Sequence, residues 1–423
     1  MPKGFQSVDL QGFIPKSTLK SNDKSNDKSN KTAFVATDIL GNKRSNTPHA
    51  GAFEAAPKTA FDFSPTKMTG VGTDFFTPNW EAIVFPTSKK TIAVSFSDKN
   101  KTPQYRTHPE SIGKALEKAI DAAEAGDIIE LTDTATYFID ATLFIKKPIT
   151  LRAKAGLSRR PTLKFKAEKG GLAFISLENG GNLRLNGIDF DGTVEAGTAD
   201  CAIRTSLKPT LEPYQLFVDN CAFSHFTDGR KSVFKAFKGT FADTVQFTNC
   251  LFTDVSGEAL SLAAEKEDKG IYNAEHVILT NCAFVNLPIG ALDLYRGGND
   301  ESTLGPFLTI DHCTFHNVAN VELCYVLKLI GVQQSDIKNS LFSESGQSGR
   351  VARYEDFRGT RNYMHHCNFY KAGRVESFYP TVIGEGMTNF KPDFKGLEAL
   401  DMRQKDVSPL KNKATDGMDL GVN

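Results

Sequence analysis

Six Arg or Lys side chains fall between positions 350 and 374 (Arg350, Arg353, Arg358, Arg361, Lys371 and Arg374), facing only Glu355 and Asp356, with Tyr354, Phe357, Tyr363 and Tyr370 interleaved. Guanidinium forks match carboxylates bidentately and aromatic rings stack on sugar faces, so this composition fits a groove for an acidic sugar chain. The competing reading is an ordinary solvated flank, because charge runs are common and mostly silent. Seven cysteines are the second chemical feature, but their spacing matches no Cys-x-x-Cys zinc pattern. The chain carries no phosphate-binding glycine loop, Gly-x-Ser-x-Gly elbow or His-Glu-x-x-His motif. Over 423 residues, 50 Lys and Arg balance 50 Asp and Glu. That balance excludes whole-body attraction to nucleic acid or an anionic membrane, and neither is expected as a partner.

These side chains must be positioned by a repeat. Asp219-Asn220-Cys221-Ala222-Phe223 recurs as Thr248-Asn249-Cys250-Leu251-Phe252, Thr280-Asn281-Cys282-Ala283-Phe284, Asp311-His312-Cys313-Thr314-Phe315, Lys338-Asn339-Ser340-Leu341-Phe342 and His365-His366-Cys367-Asn368-Phe369. With Phe190 as an earlier, looser member, the marker phenylalanines are 33, 29, 32, 31, 27 and 27 residues apart. Short β-prone pieces such as Val277-Ile278-Leu279, broken by Gly, Asn and Asp, fill each unit, and no unit holds a long amphipathic helix. The expected fold is all-β, a right-handed parallel β-helix with one turn per unit. Residues two apart on a strand share a face, so the Phe and the Cys (221, 250, 282, 313, 367) are expected as two inward ladders. Buried ladder thiols behave as small hydrophobes. Cys201 and Cys324 fall outside the ladder, and the Asn beside the Cys is expected to form a hydrogen-bonded ladder at a turn. Of His365 and His366, one is expected to face inward and one outward, as structural residues.

Apolar positions 112, 115, 116, 119, 120 and 123 form one helical stripe that ends at Gly126. This helix is expected to cap the open end of the solenoid. The domain reading is therefore an irregular segment over 1–108, with a low-complexity loop at 20–31, followed by a β-helix domain over 109–423. No apolar run is long enough for a membrane span, and the start lacks a signal peptide's apolar stretch.

The chain resembles the carboxy-terminal β-helix of two-domain alginate lyases of polysaccharide lyase family 6, relatives of chondroitinase B. The residues carrying the resemblance are Gly126-Asp127-Ile128-Ile129-Glu130-Leu131, Lys147-Pro148-Ile149-Thr150-Leu151-Arg152-Ala153, the run from Tyr295 to Thr303 with its Arg296-Gly297-Gly298-Asn299-Asp300 core, and closing segments near 37–54 and 406–421. The resemblance covers most of the chain from about 109 onward and more faintly 30–55. It implies a secreted or periplasmic setting, an acidic polysaccharide partner such as alginate, and a possible upstream catalytic β-helix domain. It also implies β-elimination at 4-linked uronates. That reaction needs the C6 carboxylate neutralised, a base for the C5 proton and an acid for the O4 leaving group. The family pairs a Lys and an Arg from neighbouring rungs, with Ca²⁺ near the sugar carboxylate. Its usual Lys-Ser and Leu-Arg-His-Gly wording is absent here, and the nearest approach is Lys266 as base with Arg296 as neutraliser or acid. Asp300 and Glu301, or Glu265, Glu267 and Asp268, are the acidic turns eligible for calcium, with no metal ligand assigned.

Stacking the strand before each loop places Lys235, Ser261, Asp293, Lys328 and Arg353 in one outward column. Lys328, Arg353, Arg358 and Tyr295 are the expected substrate contacts. Two other readings stay open: a non-catalytic structural or carbohydrate-binding module, and an enzyme for another uronate glycan such as pectin or chondroitin.

Overall fold

The structure, a computed structural model, describes residues 86, 90–95 and 110–423 apart from 167–171, 196, 267–269, 298–304, 356–359 and 378–381, with residues 5–6, 14–15, 110–114 and 382 described by backbone alone. The chain divides into two compact units, Met1–Phe85 and Pro86–Asn423. In the first, Phe5–Gln6 pairs antiparallel with Ile14–Pro15. The low-complexity stretch at 20–31 and the closing-type segment at 37–54 lie outside the described residues.

In the second unit the chain winds through three parallel sheets of eleven, nine and nine strands, giving each sheet one strand per turn. A representative turn runs Ala242–Thr248 in the first sheet, Leu251–Thr253 in the second and Glu258–Leu262 in the third. The expected parallel β-solenoid is the fold. Thr91–Val94, ahead of the helix, already pairs with Ile128–Leu131 in the first sheet. Strand alternation sends Val245 and Phe247, Phe252, and Leu260 and Leu262 into the core, where all five are fully buried.

The Phe ladder of the second sheet is the axis of that core. Phe190, Phe223, Phe252, Phe284, Phe315, Phe342 and Phe369 are direct register partners from rung to rung. Their rings stack at centroid separations of 5.1, 5.4, 4.4, 5.0, 4.8 and 4.9 Å. The rung spacing of a parallel sheet sets that distance, so an identical residue on each rung finds its own kind at stacking range.

The cysteines occupy the turn into this sheet. Cys221, Cys250, Cys282, Cys313 and Cys367 are buried and free, and each thiol donates to the carbonyl two residues back, at 3.3, 3.1, 3.3, 3.4 and 3.2 Å. Ser340 fills the same place and makes the same bond to Lys338 O at 2.7 Å. Burial pushes the Cys367 thiol up to about 12, which suits an inert core group. The residue before each ladder Cys or Ser340 is left-handed, with φ of 51°, 52°, 53° and 50° at Asn220, Asn249, Asn281 and Asn339, a conformation Asn tolerates well, and 51° and 47° at His312 and His366. Asn281 donates to Asn249 (2.7 Å) and Asn249 to Asp219 (2.9 Å), so part of the expected Asn ladder is present.

The helix spans Glu110–Ala122 and packs against Thr136–Ile139 and Leu143–Ile145, burying Leu116, Ala119 and Ile120 in the main core. Gly126, at φ 93°, lies where the chain turns from it into the first complete turn. At the other end, the tail folds back along the second sheet. Met402 packs on Ala283 and Val285, and Leu410 and Leu420 pack on Leu341. His312 anchors the tail through Asp416 at 3.0 Å and the carbonyls of Asp419 and Gly421. Among the described residues, no helix is long and apolar enough to cross a membrane.

Candidate functional site

The outward column on the third sheet follows from strand register. Ser176 pairs with Arg204, Arg204 with Lys235, Lys235 with Ser261, Ser261 with Asp293, Asp293 with Lys328, Lys328 with Arg353, and Arg353 with Glu376. All five expected members stand in it. Arg204 extends it by one rung, and the alternation Ile203-Arg204-Thr205, which matches Phe234-Lys235-Ala236, was the signal available for that residue.

A cleft of about 300 Å³ opens beside the column, lined by Arg230, Glu258, Ile289, Leu323, Cys324, Tyr325, Lys328 and Arg353. Lys328 Nζ lies 3.2 Å from Asp293 Oδ2. Burial raises the Asp293 carboxyl above its ordinary value, against the pull of Lys328, with Glu258 adding to the rise and Lys266 opposing it. The Arg353 guanidinium donates to Tyr325 Oη at 2.9 Å, lies 5.4 Å from the centre of that ring, and pairs with Glu355. Arg230 Nε donates to the buried Glu258 carboxylate at 3.1 Å. Each fixed cation thus has a local acid, which holds its side chain in place without removing it from the cleft wall. Cys324 sits here too, half-buried, with burial raising its thiol and Glu258 adding to that rise.

Lys266 and Arg296 are placed differently from each other. Lys266 is exposed, its charge acts on Asp293, and its backbone carbonyl accepts from Tyr295 Oη at 3.4 Å. Arg296 is 3% exposed, bridges through its backbone to Tyr272, and its charge acts on Tyr272 and Glu275. Tyr272 Oη donates to Glu275 at 2.5 Å, and burial raises the Glu275 carboxyl. Tyr295 is half-buried at the end of its strand and pairs in register with Ile330. Arg358 lies outside the described residues.

The basic strip at 350–374 does not form one surface. One solenoid turn carries Arg350 and Arg353 onto the third sheet, Arg361 and Tyr363 onto the first, and Tyr370 onto the second. Tyr354 points inward, fully buried against Ser335 Oγ at 3.2 Å. His365 reaches Asp336 at 3.1 Å and His366 at 2.9 Å, and stacks on Tyr363. Sequence proximity in a solenoid spreads residues around the axis, whereas equivalent positions of successive repeats share a face.

Among the described residues, no group of three or more His, Cys, Asp or Glu is arranged to hold a metal ion. Glu265, one of the expected calcium candidates, is buried and accepts from the Gly239 amide. Glu267, Asp268, Asp300 and Glu301 lie outside the described residues.

Fold and flank together define a parallel β-solenoid with a charged cleft on its third sheet. It is similar to the solved structure of the PL6 family alginate lyase AlyGC, at 25% identity and a TM-score of 0.56, over 75% of this chain and 42% of that one. An arginine-to-alanine mutant of the same lyase gives 25% identity and a TM-score of 0.57, over 73% and 42%. The fold is that of a β-helix domain of PL6 lyases, and the chain spans less than half the length of these neighbours. No family model and no curated protein matches the sequence.

Proposed function

We propose that this chain holds an acidic polysaccharide of the alginate type against the third sheet, as the glycan-binding β-helix of a family 6 lyase system. One observation carries the reading: Lys328 and Arg353 are register partners on neighbouring rungs, both facing the cleft. Adjacent rungs lie roughly 4.8 Å apart, so the two cations meet acidic groups that recur along an extended chain. The Arg353 fork suits a uronate carboxylate, and Tyr325 beside it offers a ring for a sugar face.

Binding is favoured over catalysis by this chain because the expected pair is not presented together. Elimination asks one group to neutralise the C6 carboxylate while another takes the C5 proton. Lys266 is exposed, but Arg296 is 3% exposed and committed toward Tyr272 and Glu275. Lys328, 3.2 Å from Asp293, is placed to hold a carboxylate. Calcium rests on the family resemblance alone, and no residue and no step is assigned to it.

The test is to incubate the purified chain with alginate, following ultraviolet absorbance of unsaturated uronate while measuring retention on an alginate gel. Retention without product is the expected result. Product that disappears in Lys266→Ala would restore catalysis to this chain, and absence of both would leave a purely structural module. A panel with pectin and chondroitin separates the sugar classes.

A further inference from the structure

We propose a second anion site, built for a carboxylate-bearing sugar, at the corner between the first and second sheets. Its source of ligand rests on the acidic-polysaccharide reading above; its geometry does not. The first turn at this corner takes four residues, 132–135, and the later ones are uniform. From Leu183–Asn186 onward, every passage from the first sheet to the second takes two residues: Gly187-Ile188, Asn220-Cys221, Asn249-Cys250, Asn281-Cys282, His312-Cys313, Asn339-Ser340 and His366-Cys367. Between Ile149–Ala153 and Thr162–Phe165 the passage takes eight, 154–161, spelling Lys-Ala-Gly-Leu-Ser-Arg-Arg-Pro. A solenoid needs no such loop to stack its rungs. Insertions of this kind are where repeat folds place binding groups.

The loop encloses a cleft of about 500 Å³ together with Arg152, Asn186, Gly187 and Asn220. Two of its four cations are fixed. Arg152 is held by Glu130 at 2.8 Å, and Arg160 by Asp189 at 2.5 Å and by Asn220, one turn beyond Asp189, at 3.1 Å. The side chains of the other two, Lys154 and Arg159, are exposed and make no hydrogen bond or ion pair among the described residues. The fixed pair spans the loop and holds its shape, while the free pair leaves net positive charge at the mouth. Ser158 adds a hydroxyl and Leu157 an apolar wall. Gly187 forms part of the lining, with φ at 71°, where a Cβ would come within 3.3 Å of Ala153. This combination suits one carboxylate with an attached sugar ring: two exposed, unpaired cations for the charge and room for the ring.

The experiment is titration calorimetry with a short alginate oligosaccharide on wild type, Lys154→Ala/Arg159→Ala and Lys328→Ala/Arg353→Ala, with thermal unfolding of each as a fold control. Wild type is expected to bind at two sites, and each double variant at one, with an unchanged melting temperature. Losing both corner cations should weaken that site by at least about tenfold. Binding in the corner variant identical to wild type would overturn the inference while leaving the third-sheet reading intact. Loss confined to the corner variant would remove the third-sheet reading and leave this one standing. Inorganic sulfate that displaced the oligosaccharide from the corner at equal concentration would mark a plain anion site and overturn the sugar assignment.

Discussion

The second and third sheets are built by the same repeat and put it to opposite uses. On the inner side of the second sheet, every rung from Phe190 to Phe369 repeats one residue, and the seven rings stack in six successive pairs at 4.4–5.4 Å. On the outer side of the third, the equivalent column reads Ser176, Arg204, Lys235, Ser261, Asp293, Lys328, Arg353 and Glu376, with hardly two neighbours alike. An inward position is constrained by volume and by its copy on the next rung. An outward position on the same scaffold carries no such constraint, so its residue types are open to ligand chemistry. Constancy along the axis therefore marks stability, and variation along it marks the faces available for function.

That contrast can be broken by mutation. Phe284→Ala, in the middle of the stack, should destabilise the chain by about 3–5 kcal/mol in chemical denaturation, because it removes a buried ring and leaves both neighbours facing a cavity. Lys328→Ala should stay within about 1 kcal/mol of wild type in the same assay. A comparable loss at both positions would erase the distinction.

The next effect is titration. Burial holds His276 down to about 4 from 6.5, its ring stacked on Phe307 on the outer side of the first sheet. The unfolded chain binds more protons than the folded one across that window, so stability is fully present above pH 6.5 and is lost as pH falls toward about 4. The contribution is on the order of 2 kcal/mol, and His276→Gln should flatten this part of a melting-temperature profile.

Asp293 has the opposite sign. Its folded carboxyl is raised above 3.8, so the folded state binds the extra proton and stability falls as pH climbs from 3.8 through the raised value. Asp293→Asn removes that slope. It also frees Lys328 from its counter-charge and should tighten alginate binding several-fold, up to about tenfold, by calorimetry. The smallest expected change is Cys282→Ser. Ser340 already occupies the ladder with the same carbonyl bond, so the loss in denaturation should be about 1 kcal/mol or less.

The fold was legible in the sequence because the ladder residues repeat at near-constant spacing, and strand alternation then dictates which face each occupies. The outward column was legible for the same reason, and Lys235, Ser261, Asp293, Lys328 and Arg353 stand in the register the repeat implied. Features depending on proximity along the chain were harder to read. The strip at 350–374 wraps around three faces, since about thirty residues complete one turn. Cys324 and Arg230 line the cleft from turns entering the third sheet, where loop lengths vary and the period gives no register, and Tyr325 lines it from the first position of its strand. Arg296 lies only three residues beyond Asp293, yet it is 3% exposed and its charge acts on Tyr272 and Glu275, a burial that strand alternation alone does not give.

The central claim is that Lys328 and Arg353, adjacent across one rung spacing, hold acidic glycan on the third sheet. Its most direct test is the affinity of Lys328→Ala/Arg353→Ala for alginate retained on a gel, measured beside its melting temperature. The account predicts loss of the third-sheet affinity by about a hundredfold at an unchanged melting temperature, and weakening of the wild-type interaction by added salt. Wild-type affinity in the double variant would contradict it.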